Sequence, residues 1–352
     1  MSATFQATRG LAAGRAYGVP GAANKVDLYL AGNEGPAPDP AWLARATFAE
    51  PERIRRYPAL TELQTTLVNK HGVDPEQITL TAGADDGLLR CCLASLDATR
   101  NAVVPSPTFE MIQRYVALAE GELRAPAWPS GPYPTGAVME CADASTGAIF
   151  VVSPNNPTGA VATESDLERL AQAAPQALLV VDGAYAEYAD HDLTQAALAL
   201  PNAVVLRTLS KAWGLAGLRI GYAIGGREIT GLLRRTGNPF PIAAPAADLA
   251  LDWLQAGAAR VQSGIDQVRK ERGELAKQLA RLGAEPVPSQ ANFVFARLPD
   301  AADLHAQLLE RRILVRRFDT PGLADALRIT CPSDPLAFQH LTAVLSSITP
   351  CN

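Results

Sequence analysis

The chain has 352 residues and a net charge of −5, with 48% hydrophobic and 19% charged residues. That length suits one large domain plus a smaller one, and the composition is too apolar for a disordered protein. Without a block of like charges, neither a nucleic-acid partner nor a membrane surface is expected, and the most apolar stretches, such as 177–181, are far too short to span a bilayer.

Residues 1–10 have no apolar core of signal-peptide type. The five cysteines are odd in number and scattered, which predicts a reduced, cytoplasmic protein. Cys91 and Cys92 fall in an apolar helical pattern and read as buried thiols. The histidines His71, His191, His305 and His340 lack metal-ligand spacing, so no metal site is expected.

In chain order, residues 1–30 show little periodicity and are expected to pack on a small domain or on a partner subunit. Residues 31–243 form the predicted large domain. The Pro/Gly-rich stretches at 32–40 and 125–136 read as loops. Apolar runs at 78–81, 102–105, 148–152, 178–181, 204–206 and 218–224 are too short for helices and end in turn residues, so they read as buried strands. Between them lie helical patterns. One, at 163–174, opens on Thr163 with Asp166 three residues on, a capping-box signal. The fold class is therefore α/β, a mainly parallel wound sheet with helices on both faces.

From 244 to 352 the pattern becomes that of a smaller α+β domain. Helices are predicted at 246–255 and 265–282, a strand at 292–298, a helix at 302–312, strands at 313–318 and 327–330, and a helix at 335–348.

The polar clusters fall at the carboxyl ends of predicted strands, where open α/β sheets bind ligands. The sharpest runs Arg207-Thr208-Leu209-Ser210-Lys211-Ala212-Trp213-Gly214-Leu215-Ala216-Gly217-Leu218-Arg219. Two hydroxyls and a guanidinium suit a phosphate, and a lysine among cations can serve as a nucleophilic amine. The plain alternative is a solvated lysine at a strand end. Asp182 directly follows an apolar strand and can pair with a protonated ring nitrogen, with Tyr185 three residues on. Alone, that pair reads better as a helix cap and a packed tyrosine. Ser153-Pro154-Asn155-Asn156-Pro157-Thr158-Gly159 is a rigid loop whose asparagine can donate to a ring oxygen; alone it is a tight turn. Thr81-Ala82-Gly83-Ala84-Asp85-Asp86-Gly87 places small residues at a helix start, where free backbone N–H groups can hold an anion, although many helices begin so.

Together and in this order, the four clusters resemble those of the fold-type-I pyridoxal-phosphate aminotransferases of classes I and II, most nearly the histidinol-phosphate aminotransferase family. The resemblance runs from Tyr17 to Ser333. It implies a pyridoxal 5′-phosphate cofactor held as a Schiff base by Lys211, which then carries a proton. It implies that Asp182 partners the ring nitrogen, that Tyr185 and Asn156 bind the ring's 3′-oxygen, and that Phe109 stacks on the ring. The phosphate would be held by the Gly83, Ala84 and Asp85 backbone with Thr208, Ser210 and Arg219. Tyr57 would reach the phosphate of the neighbouring subunit in a homodimer. Arg328, and less directly Arg316, would bind an anionic group of the substrate, near Asn33 and Tyr17.

The implied reaction is ping-pong amino transfer between an amino acid or a histidinol-phosphate-like amine and a 2-oxo acid such as 2-oxoglutarate. The sequence departs from the family pattern in three places. Gly35-Pro36 follows Asn33-Glu34 in place of Asn-Pro, Ala59 stands where an acidic residue is usual, and Phe109 replaces a commoner tyrosine. These bear on the substrate rather than the cofactor. A decarboxylase, lyase or oxidase on the same fold, or an aromatic amino-acid transaminase, is the alternative. A regulator without turnover fits less well, because no separate basic helix is apparent, and a nicotinamide enzyme lacks its glycine motif.

Overall fold

The computed structural model describes residues 26–45 and 51–349. Among these residues the strands form two sheets. The larger has seven strands: β2 (Ile78–Thr81), β3 (Asn101–Val103), β4 (Glu122–Arg124), β5 (Thr146–Val152), β6 (Leu178–Asp182), β7 (Ala203–Thr208) and β8 (Gly221–Gly225). Their order across the sheet is β2-β8-β7-β6-β5-β3-β4. The pairs from β7 to β4 are parallel, and β8 runs antiparallel to both its neighbours. The expected mainly parallel α/β sheet is thus present.

Alternation along the strands explains why helices cover both faces. On β5, Phe150 and Val152 pack under the Gly83–Ser95 and Glu110–Leu118 helices with Leu88, Cys91 and Ile112. Ile149 and Val151 face the other way, against Leu167 and Leu170 of the Glu164–Ala173 helix. A strand buried on both faces has no polar side to alternate with, so it reads as a continuous apolar run. The Glu164–Ala173 helix carries the expected capping box: Thr163 and Asp166 satisfy each other's backbone N–H.

The smaller sheet contains β1 (Leu28–Leu30), β9 (Glu285–Pro286), β10 (Phe293–Arg297), β11 (Ile313–Arg317) and β12 (Ala326–Thr330), in the order β1-β11-β12-β10-β9. Strand β1 pairs in parallel with β11 at the edge of the smaller sheet. The Ala258–Arg281 helix lays Val261, Ile265, Val268 and Leu275 into the same core as Phe293, Ile313 and Ile329.

Three expectations need correction. The run at 218–224 is a strand only from Gly221: Ala216–Leu218 is a turn of 3-10 helix and Arg219 follows in the left-handed region at φ 54°. The stretch at 125–136 is not all loop, because Thr135–Cys141 is helical, and the short strand β4 precedes it. The long helix begins at Ala258 rather than 265, its first two turns being masked in sequence by polar residues and Gly264. Among the described residues Cys91, Cys92, Cys141 and Cys331 are unpaired thiols, and no helix is long and apolar enough to cross a membrane.

Phe150 is 1% exposed at the centre of the larger sheet. Phe150→Ala is expected to cost about 3–5 kcal/mol, through lost burial plus a residual cavity. Chemical denaturation monitored by circular dichroism checks this; a loss below about 1 kcal/mol would mean that the core around β5 closes over the gap.

Candidate active site

The strand order brings the carboxyl ends of β5, β6 and β7 side by side, and the loops leaving them line a cavity of about 300 Å³. The smaller sheet closes one side of it through Asn33, just past β1, and Arg328 of β12. Of the residues singled out in the sequence, Ala84, Asp85, Phe109, Asn156, Asp182, Tyr185, Thr208, Ser210, Lys211, Arg219, Asn33 and Arg328 all line this cavity.

Lys211 follows the end of β7, and its Nζ donates to the Gly32 carbonyl oxygen at 3.0 Å. It also lies 5.5 Å from the centre of the Tyr185 ring. The Lys211 backbone is clamped as well. A Cβ on Gly35 would come 1.7 Å from the Lys211 carbonyl oxygen, and one on Gly214 would come 2.0 Å from the Pro36 oxygen. No side chain fits at position 35 while its backbone packs on Lys211.

Asp182 ends β6 and is 3% exposed. Its Oδ1 accepts from the Ala184 N–H at 3.1 Å. Burial pushes its carboxyl up to about 6, against the opposing pull of that N–H; Asp85 adds a smaller upward push and Lys211 a smaller downward one. The site therefore favours a cationic or hydrogen-donating partner at Asp182. Tyr185 is buried, accepts at its hydroxyl from Asn33 Nδ2 at 3.0 Å, and meets Phe293 edge-on.

The other end of the cavity is built for an anion. Gly83 begins the Gly83–Ser95 helix at φ 78°, and a Cβ there would meet Arg219 Nη2 at 2.5 Å. The backbone N–H groups of that first turn have no partner within the helix, and the helix dipole favours negative charge there. Thr208 Oγ1 and Ser210 Oγ lie 2.9 Å apart, and Arg219 Nη1 approaches Ser210 Oγ at 3.4 Å. Arg219 Nη2 also contacts Asp85 Oδ2 at 3.2 Å, a half-exposed pair. Two hydroxyls, a guanidinium and a helix start together are the chemistry that suits a phosphate.

Arg328 is 7% exposed and donates to Asn156 Oδ1 and, at 2.7 Å, to the Ala31 carbonyl. Asn33 is fixed to the same strand, its N–H donating to Thr330 Oγ1 at 3.2 Å while that hydroxyl donates back to Asn33 Oδ1 at 3.0 Å.

Two of the residues singled out lie elsewhere. Arg316 lines a second, outer cavity of about 380 Å³ that shares Phe109, Asn156 and Arg328 with the first. Tyr57 is 79% exposed and stacks on Phe240 with ring centres 4.4 Å apart. Tyr17 lies outside the described residues. The sequence reading missed Met111 and Tyr115, which line the inner cavity. Their signal was available: they sit four apart on the Glu110–Leu118 helix, so they share one of its faces.

A mainly parallel sheet with an amine, a buried carboxylate and an anion cradle at its strand ends, closed by a smaller sheet that contributes an arginine, defines a fold-type-I pyridoxal-phosphate transferase. The comparisons narrow this further: the model of the family "aminotransferase class I and II" matches residues 27–341, and the chain belongs to that family. It is an enzyme of the aminotransferase kind. It is similar to the histidinol-phosphate aminotransferase of Caldanaerobacter subterraneus, at 33% identity over 78% of this chain and 79% of the relative. It is also similar to that of Paracoccus denitrificans, at 35% identity over 86% of this chain and 84% of the relative. The solved histidinol-phosphate aminotransferase of Sinorhizobium meliloti in complex with pyridoxal-5′-phosphate covers 92% of each chain, with a TM-score of 0.81 at 23% identity, which speaks for the fold.

Because burial raises the Asp182 carboxyl, the folded protein free of cofactor binds a proton there more tightly than the unfolded chain. The protonated carboxyl's contribution is full below pH 4 and is lost as the pH rises through about 6. Asp182→Asn should remove this loss. The cofactor-free variant should be more stable than the cofactor-free parent at pH 8, by on the order of 3 kcal/mol, with the gap closing toward pH 4. Denaturant titrations at the two pH values decide; an equal gap at both would rule out the buried-charge account.

Proposed function

We propose that the inner cavity holds pyridoxal 5′-phosphate and that the chain transfers amino groups by a ping-pong route. The donor is an amino acid or a histidinol-phosphate-like amine, and the acceptor a 2-oxo acid such as 2-oxoglutarate. The observation that carries the reading is the placement of Lys211 and buried Asp182 on one cavity, with the phosphate cradle at its end. Lys211 Nζ would hold the cofactor and then take the proton from the substrate's amine-bearing carbon. Asp182 would keep the ring nitrogen protonated, and Tyr185 and Asn156 would donate to the ring oxygen. Phe109 would stack on the ring. The Gly83, Ala84 and Asp85 backbone, Thr208, Ser210 and Arg219 would hold the phosphate. When bound, the cofactor supplies a protonated aromatic ring that takes up the electrons released at the substrate carbon. Arg328 would bind an anionic group of the substrate, with Arg316, Asn33 and Tyr17 nearby.

The division into a 1–30 segment, a large domain at 31–243 and a small domain at 244–352 is part of the same proposal; the placement of β2–β8 within 78–225 and of β9–β12 within 285–330 supports it. A reduced cytoplasmic location fits the unpaired thiols.

Lys211→Ala should lose the visible absorption band of the bound cofactor and nearly all turnover; transamination at the parental rate would defeat the assignment. A panel of donors tests the chemistry, with histidinol phosphate, phenylalanine and tyrosine each added without acceptor. Formation of pyridoxamine phosphate supports transamination, whereas release of carbon dioxide, ammonia or peroxide would favour another chemistry on this fold.

The working form proposed is a homodimer in which Tyr57 reaches the neighbouring cofactor site. The exposure of Tyr57 and its stacking on exposed Phe240 support it. Mixing Tyr57→Phe subunits with Lys211→Ala subunits tests the sharing. If sites are shared, mixed dimers hold one fully parental site and regain activity above either variant alone; no gain would place Tyr57 outside the neighbour's site.

A further inference from the structure

The outer cavity carries a charge pattern that the cofactor site does not explain. Arg316 of β11 and Arg328 of β12 are direct partners in the antiparallel register. Like charges so placed repel unless an anion stands between or beside them. Arg328 is turned to Asn156 and to the Ala31 carbonyl. Arg297, on the same cavity, is paired with Asp325 at 2.6 Å. Arg316 meets Glu110, with Nη2 3.3 Å from Oε1. Among the described residues lining this cavity, Glu110 is the one carboxylate.

The two partners are unequally held. The Arg316 side chain is 20% exposed and leans on the Phe318 ring, whereas that of Glu110 is 42% exposed. Glu110 is also the first residue of the Glu110–Leu118 helix, where a carboxylate is favoured whether or not it is paired. Among the described residues, a single ion-pair contact holds it inward. An anion arriving at Arg316 would meet this carboxylate at close range, and Glu110 can leave for water at little more than the cost of the pair.

We infer that Glu110 is a specificity-determining residue, a displaceable counter-ion of Arg316 that an anionic substrate group has to replace. This rests on reading the outer cavity as the substrate side of an aminotransferase site. Glu110 lowers affinity for anionic ligands, leaves neutral side chains unaffected, and so narrows the margin by which charged donors outcompete apolar ones.

The test is calorimetric titration of the holoenzyme with inorganic phosphate. Glu110→Gln is expected to tighten phosphate binding by roughly two- to fivefold, the range of a partly exposed ion pair. In an Arg316→Gln background the same change should have no effect, because the cation it uncovers is gone. The kcat/KM ratio for glutamate over phenylalanine should rise by a similar factor, the change appearing in KM. Unchanged or weaker phosphate binding by Glu110→Gln would overturn the inference, as would equal tightening without Arg316. The titration needs no turnover. A protein that fails to transaminate thus defeats the proposed function, while the phosphate result still decides the role of Glu110.

Discussion

A carboxylate buried at the end of a central strand sets the terms for the rest of this site. Asp182 is 3% exposed, and the walls around it are the apolar ends of a sheet covered on both faces. One backbone N–H does not offset the loss of water around a charge, which is why its carboxyl is pushed up. Such a group is tolerated where a cationic partner returns what burial removed. The protonated ring nitrogen of the proposed cofactor would be such a partner, and the position of Asp182 would then dictate where the remaining groups have to stand. Lys211 lies on the adjacent strand end, and the anion cradle lies beyond it.

The cradle depends on close backbone approach more than on side-chain chemistry. A Cβ on Gly221 would come 2.4 Å from the Gly83 carbonyl carbon, so the start of the Gly83–Ser95 helix is pressed directly against β8. Arg219 reaches the same turn because its own backbone occupies the left-handed region, an uncommon conformation for a residue with a side chain. The chain leaves Lys211, makes a tight turn, and returns with a guanidinium beside Ser210. The 218–224 run read as one long strand for this reason: Leu218 and Ile220 are apolar, but they belong to the turn that aims Arg219.

The groups at the inner cavity were visible in the sequence because several stand at or just past an apolar run: Asp182 and Thr208 end their strands, and Asn156 follows β5 by four residues. Those at the outer cavity were visible only by resemblance, because their contacts are remote. Asn33 and Thr330 are bonded across 297 positions, and Glu110 and Arg316 across 206. No local pattern announces that the first residue of a helix will face a strand of the other sheet. The short strand β4 and the true start of the Ala258–Arg281 helix were missed for the opposite reason, since three residues of strand and a polar helical turn carry too little periodicity to be seen.

The two cavities are held together in different ways, and that difference constrains how the specificity of the enzyme can change. The groups around Lys211 are locked by one another: altering Gly35, Gly214 or Gly221 would drive a Cβ into backbone. The outer cavity has no such interlock. Arg316 and Glu110 meet through a single contact between flexible side chains, and Phe318 and Thr320 line it from a half-open edge. On the proposed reading, a change at Glu110 would alter what Arg316 can bind without a direct contact to Thr208, Ser210 or Arg219. Substrate preference can therefore drift on this frame while the cofactor site stays fixed, and similarity along the whole chain speaks more firmly for the cofactor than for the donor.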